Sequence, residues 1–142
     1  MKLTNYSFAF ILMLLFAVGC GGNPSASGTV KFPDGTPMGS GIIIFESETL
    51  QAIGTIQENG SYSVSSGETR GIPNGTYNVF FSGFGPDYAP PDMGPGGNPI
   101  GPPKLIRNVE LIIPDKYLSP HTSGLVCEVK GRTVFNITVE HR

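Results

Sequence analysis

The chain has 142 residues, room for one domain and little more. Charged residues make up only 14% and the formal net charge is −2, so no basic patch offers nucleic acid a footing. Gly (20) and Pro (13) suit turns and extended segments and exclude a fold of long helices, and the absence of Trp weakens a sugar-stacking platform.

Residues 1–20 read MKLTNYSFAFILMLLFAVGC. Lys2 supplies a positive end, and Phe8 to Val18 form an apolar stretch of export-signal length, too short for a comfortable membrane span. Ala17-Val18-Gly19-Cys20 resembles the lipobox of bacterial lipoproteins. The resemblance implies that the Cys20 thiol receives a diacylglyceryl group, that a peptidase cuts before Cys20 and that the new amine is acylated. Ala17 departs from the Leu commonest there, and an ordinary secretory signal with an incidental Cys is the alternative. The expected organisation is a signal peptide at 1–19, a lipidated Cys20 with a tether at 20–26, and a domain at 27–142. One acyl chain holds reversibly, at about 0.8 kcal/mol per buried methylene, whereas two or three make release negligible. The expected location is the cell envelope, facing the periplasm or the exterior. Gly21 stands where an inner-membrane retention signal would place Asp, which favours the outer membrane.

Beyond the tether the hydropathy period is two almost everywhere. Strands are predicted at Ser27–Phe32, Gly41–Glu46, Ala52–Gln57, Ser61–Ser65, Thr76–Ser82, Leu125–Lys130 and Thr133–Glu140, with a further extended piece from Leu105 to Ile113. Pro33-Asp34-Gly35, Asn59-Gly60, Pro73-Asn74-Gly75 and Gly131 mark turns between them. Seven short strands without an amphipathic helix predict an all-β, seven-stranded β-sandwich. GIIIF (41–45) is apolar on both faces, as a central strand covered on both sides would be. Tyr77, Val79 and Phe81 face inward, with Phe80 breaking the pattern on the polar face; Leu125, Cys127 and Val129, and then Phe135, Ile137 and Val139, also face inward.

Parity fixes two expected registers. A three-residue loop Glu58-Asn59-Gly60, with Gly60 left-handed, pairs Ile56 with Tyr62 and Gly54 with Val64; a two-residue turn would split the apolar residues between faces. The same argument makes Gly131-Arg132-Thr133 the turn of a last hairpin, pairing Val129 with Phe135 and Cys127 with Ile137.

Residues 83–104, GFGPDYAPPDMGPGGNPIGPPK, are too rich in Pro and Gly for a sheet interior and too long for an ordinary connection. They read as an excursion between strands. As a binding loop they would offer Phe84, Tyr88 and Met93 as apolar contacts and Asp87 and Asp92 as polar ones.

SGTVKFPDGTPMGSGIIIF (27–45), ENGSYSV (58–64) and GIPNGTYNV (71–79) together resemble the carboxypeptidase regulatory-like, or transthyretin-like, domains. The ending IPDKYLSPHTSGLVCEVKGRTVFNITVE (113–140) is similar to small lipoproteins of planctomycete-type bacteria. The resemblance implies an exported Greek-key sandwich of prealbumin-like topology with an accessory or structural role. It supplies no substrate, and the name implies no peptidase activity.

Asp115, His121 and Ser123 invite a hydrolase reading, but they lie within one short connection with Pro114 and Pro120 nearby, and no G-x-S-x-G elbow accompanies them. Loop hydroxyls bonded to backbone groups are the plainer reading. With Cys20 lipidated, Cys127 is the one remaining thiol and no internal disulfide can form. It reads as a small buried hydrophobe. One Cys and two His suggest no zinc site, and no repeated acidic loop suggests calcium. His141 reads as solvated beside the terminus. No catalysis, cofactor or metal is expected. The expected partners are the membrane, through the anchor, and a protein or glycan.

Overall fold

The computed structural model describes residues 23–67 and 69–142. The signal read at 1–19, Cys20 and the first residues of the tether lie outside the described residues. Among the described residues the chain is all-β; its helical segment is a single 3-10 turn at Asp115–Leu118, and no helix is long and apolar enough to cross a membrane.

The strands are β1 (Ser25–Lys31), β2 (Ile42–Glu46), β3 (Gln51–Thr55), β4 (Ser61–Ser63), β5 (Ser65–Ser66), β6 (Thr69–Arg70), β7 (Gly75–Ser82), β8 (Gly85–Ala89), β9 (Asp92–Met93), β10 (Pro99–Ile100), β11 (Lys104–Val109), β12 (Leu125–Val129), β13 (Arg132–Val134) and β14 (Ile137–Thr138). One sheet runs in the order β12-β7-β2-β3-β5-β6. In the other, β1 pairs antiparallel with β4 and parallel with β13 and β14. Side chains from both sheets enter one apolar core, a sandwich-like arrangement. Two short two-stranded sheets, β8 with β11 and β9 with β10, stand apart from these.

The alternation read from the sequence sets the core. Tyr77, Val79, Phe81, Cys127, Val129, Ile137 and Val139 are buried, and Phe135 packs against them. A row of inward residues, Leu125–Val79–Phe45–Ala52, crosses four strands in register. The GIIIF strand is central, as expected, with Ile43 and Phe45 inward and Ile42 and Ile44 half-buried on the other face. Phe80 is buried apart from the main core, opposite Ile44 on that outer face.

The first expected register also holds. Gln57 N–H donates to the Ser61 carbonyl at 2.8 Å, and Ile53 pairs with Ser65. Glu58-Asn59-Gly60 is therefore the loop, with Gly60 at φ +80°. The Asn59 side chain closes it by accepting from Ser61 N–H at 3.0 Å. The strand expected at Ser61–Ser65 nevertheless divides between sheets. Ser61–Ser63 leaves β3 to pair with β1, and Ser65–Ser66 returns to β3.

The second expected register is overturned. Val129 does not pair with Phe135, nor Cys127 with Ile137. β12 pairs antiparallel with β7, while β13 and β14 run parallel to β1 in the opposite sheet. Gly131, at φ +64°, lies between the two pairings, and its N–H donates to the Asn74 side chain at 2.8 Å. Both arrangements bury the same alternate residues, so period-two patterning does not distinguish them. The last strand is interrupted at Phe135-Asn136, where Asn136 Oδ1 replaces a backbone acceptor for Thr29 N–H at 3.0 Å. The register on β1 is the same before and after the break.

β1 is held closely on that side. The Phe135 carbonyl would lie 2.1 Å from a Cβ at Gly28. It accepts the buried Tyr62 hydroxyl at 2.5 Å. Burial, with a smaller contribution from Cys127, raises the Tyr62 phenol well above its ordinary value.

Four outcomes are expected. Phe45→Ala, at a fully buried ring, should cost about 3–5 kcal/mol in urea unfolding. Gly28→Ala should lower the thermal midpoint, because backbone must move to admit the methyl. Stability should be complete below the unfolded tyrosine value near ~10 and fall as pH rises above it, since the unfolded chain loses the phenolic proton first. Tyr62→Phe should lose about 1 kcal/mol at neutral pH and show a shallower alkaline fall.

Candidate functional site

The stretch from Gly83 to Lys104, expected as an irregular excursion, is largely a β-ribbon. β8 pairs with β11 from Gly85↔Val109 to Ala89↔Lys104, and β9 and β10 continue it through Asp92↔Ile100 and Met93↔Pro99. The tip closes with Gly94 N–H donating to the Asn98 carbonyl and Gly97 N–H to the Gly94 carbonyl, both at 2.9 Å. A two-stranded ribbon has two free edges, so Pro86 and Pro99 can turn their missing donors away from the ladder. The extended piece expected at Leu105–Ile113 ends as a strand at Val109.

Four of the five residues singled out from the sequence lie on this ribbon. Tyr88 faces Leu105 across the strands, Met93 faces Pro99, and Asp92 faces Ile100. Asp87 accepts two hydrogen bonds from Arg107, at 2.6 and 3.0 Å, with both side chains more than half exposed. Phe84 is not among them. It is half-buried against the core, its ring 3.0 Å from where a Cβ on Gly41 would stand, and it roots the ribbon instead of lining a surface.

Sequence reasoning missed Ile100, Leu105 and Ile106. With Tyr88 and Met93 they form a set of large apolar side chains between 52% and 69% exposed. Ile106 falls at an irregularity between Leu105 and Arg107 and so escapes the pairing. The signal was the apolar Leu-Ile pair directly after the Pro-rich stretch, but only the pairing of β11 with β8 puts Leu105 beside Tyr88. At the ribbon's root lies a cleft of about 370 Å³ bordered by Gly83, Ile42, Glu58 and Arg107. The ribbon therefore offers exposed apolar area and one internally neutralised ion pair.

The connection that suggested a triad is engaged otherwise. Ser123 is buried, and its hydroxyl accepts from Leu125 N–H at 3.3 Å. Thr122 donates to the Lys116 carbonyl at 2.7 Å, and Ser119 accepts from His121 N–H at 3.3 Å. Asp115 stands 3.9 Å from Arg142. Cys127 is buried, and burial raises its thiol. Among the described residues no three His, Cys, Asp or Glu are grouped to hold a metal ion. His141, expected to be simply solvated, stacks on Phe32 with ring centroids 3.6 Å apart and lies 3.9 Å from Asp34. The Asp34 carboxyl is held below its ordinary value chiefly by the Thr36 N–H that it accepts at 2.9 Å.

Comparison with protein-family models finds none that matches the chain, and neither the curated proteins nor the solved structures yield a match.

Arg107→Ala should change the free energy of unfolding by less than about 1 kcal/mol, as exposed ion pairs do. Phe84→Ala should cost more, because it strips apolar surface from the core. Urea titration of the two variants side by side checks the order.

Proposed function

We propose that this chain is a lipid-anchored protein of the cell envelope with a structural or interaction role, and that the ribbon is its contact element. The supporting observation is the placement of two ends. Asn23, the first described residue, lies beside Arg70–Pro73, just before β7 begins. The ribbon springs from Gly83, just after β7 ends. Eight extended residues separate these poles, roughly 25 Å at about 3.3 Å per residue. A domain tethered through Cys20 would thus carry the exposed apolar side chains of the ribbon on its far side, clear of the membrane. Facing the periplasm or exterior, with the outer membrane favoured by Gly21, it would meet partners there. A catalytic role has no support in the hydroxyl and carboxyl geometry described above.

The finer family reading belongs to the same proposal: an exported Greek-key sandwich of prealbumin-like topology, related to the carboxypeptidase regulatory-like domains. The parallel pairing of the first strand with the last supports it. So does Tyr77, whose hydroxyl donates back to the Pro73 carbonyl at 2.9 Å, as a corner tyrosine does in sandwiches.

The second reading is a ligand-binding module for glycan or peptide, favoured by the adjacent exposed Tyr88 and Leu105. Sugar rings stack on aromatic faces, and peptide strands add to free ribbon edges.

Metabolic labelling with a radioactive fatty acid should mark the wild type and not Cys20→Ala; equal labelling of the two discards the anchor. A photo-crosslinking side chain at position 88 should give adducts in intact cells, whereas the same group at Val134, exposed on the other sheet, should not. Equal adduct patterns at the two positions would discard the ribbon as the contact element. Replacing residues 86–107 by a short Gly/Ser link should leave the thermal midpoint nearly unchanged.

A further inference from the structure

The pole where the described chain begins carries a second feature, unrelated to the ribbon. A groove of about 550 Å³ is bordered by Asn23, Ser25, Ser63, Ser65, Arg70 and Arg132. Two arginines and three serines therefore border one concavity, and among the described residues no acid lines it. The arginines come from separate places, Arg70 from the end of β6 and Arg132 from the start of β13. They converge because Pro24 is clamped between those elements. Its carbonyl accepts from Ile72 N–H at 2.9 Å, and the neighbouring Ser25 N–H donates to the Gly131 carbonyl at 2.9 Å. The clamp requires Gly71, which stands at φ +99° and whose Cβ would fall 2.2 Å from the Pro24 carbonyl oxygen. Forked guanidinium donors flanked by hydroxyls match the oxygens of a phosphate.

Covalent geometry places this groove. Asn23 forms part of its rim, and Cys20 is three peptide links away. At 3.8 Å per link, the lipid-bearing residue would stand within about 11 Å of the rim. That is close to the screening length at physiological salt, so the arginines of an anchored domain would feel the surface charge of its own membrane.

We propose that the Arg70–Arg132 groove is an anion site that takes the phosphate headgroup of anionic lipid beside the anchor and so fixes the domain's orientation, with the ribbon pointing outward. This rests on the reading of Cys20 as lipidated. The headgroup is favoured over a free anion because the tether holds the groove at the bilayer surface, where headgroup phosphate is concentrated.

The test uses the lipidated protein in nanodiscs of phosphatidylcholine, with and without phosphatidylglycerol, read by the amide resonances of Ser63, Ser65, Gly71 and Arg132. These should shift in the anionic discs, remain unmoved in the neutral ones and lose the response in the double variant Arg70→Gln, Arg132→Gln. Unchanged resonances of Phe45 and Cys127 verify that the variant is folded. Inorganic phosphate titrated into neutral discs is the second arm. If it moves these amides and anionic lipid does not, the site takes free phosphate and the lipid assignment falls. If neither moves them, the anion site falls, while an intact mass showing lipid on Cys20 leaves the anchor standing. If that mass shows no lipid, the anchor falls instead. The groove is then judged on the unanchored protein, where phosphatidylglycerol vesicles must still shift these amides through both arginines for the proposal to survive.

Discussion

Phe45 is where the two sheets are joined. Its ring lies 6.1 Å from Tyr62 and 6.3 Å from Phe135, both in the opposite sheet, and 6.2 Å from Tyr77 in its own. The Phe135 contact is edge-on, at 82°. Such aromatic pairs contribute about 0.5–1.5 kcal/mol each beyond the apolar area they bury. In a chain with no Trp, this cluster links the layers that the alternating pattern separates. Tyr62 extends the link to the backbone, since its hydroxyl is hydrogen-bonded to the Phe135 carbonyl.

That bond also explains how the last strand can break without slipping. The Phe135 N–H keeps its bond to the Ser27 carbonyl of β1, its own carbonyl accepts the Tyr62 hydroxyl, which comes from β4 on the other edge of β1, and Asn136 Oδ1 accepts from the Thr29 N–H. Gly28 permits the close approach between them. The smaller sheet is thus a single central strand gripped from both sides, with side-chain bonds standing in where backbone pairing fails.

The two poles of this frame carry different chemistry. At one, Gly71 and Gly131 hold the entering chain against two arginines. At the other, Phe84 roots a ribbon whose tip and flanks are apolar and exposed. The strands between them separate a basic surface from a hydrophobic one.

Much of this was legible in the residues themselves. The all-β class, the inward sets Tyr77, Val79 and Phe81, Cys127 and Val129, and Ile137 and Val139, the central place of GIIIF and the loop Glu58–Gly60 follow from period-two burial and from the left-handed conformation that glycine accepts. Tyr88 and Met93 stood out as apolar residues in a stretch that could not enter a core. What lay outside the sequence was pairing. A strand hides the same side chains whichever neighbour it meets, so nothing in residues 125–140 distinguished a hairpin from a passage between sheets. For the same reason Leu105 and Ile106 could not be placed beside Tyr88, nor Arg70 beside Arg132. Each juxtaposition joins segments far apart along the chain, and only closure of the whole core decided which of them would meet.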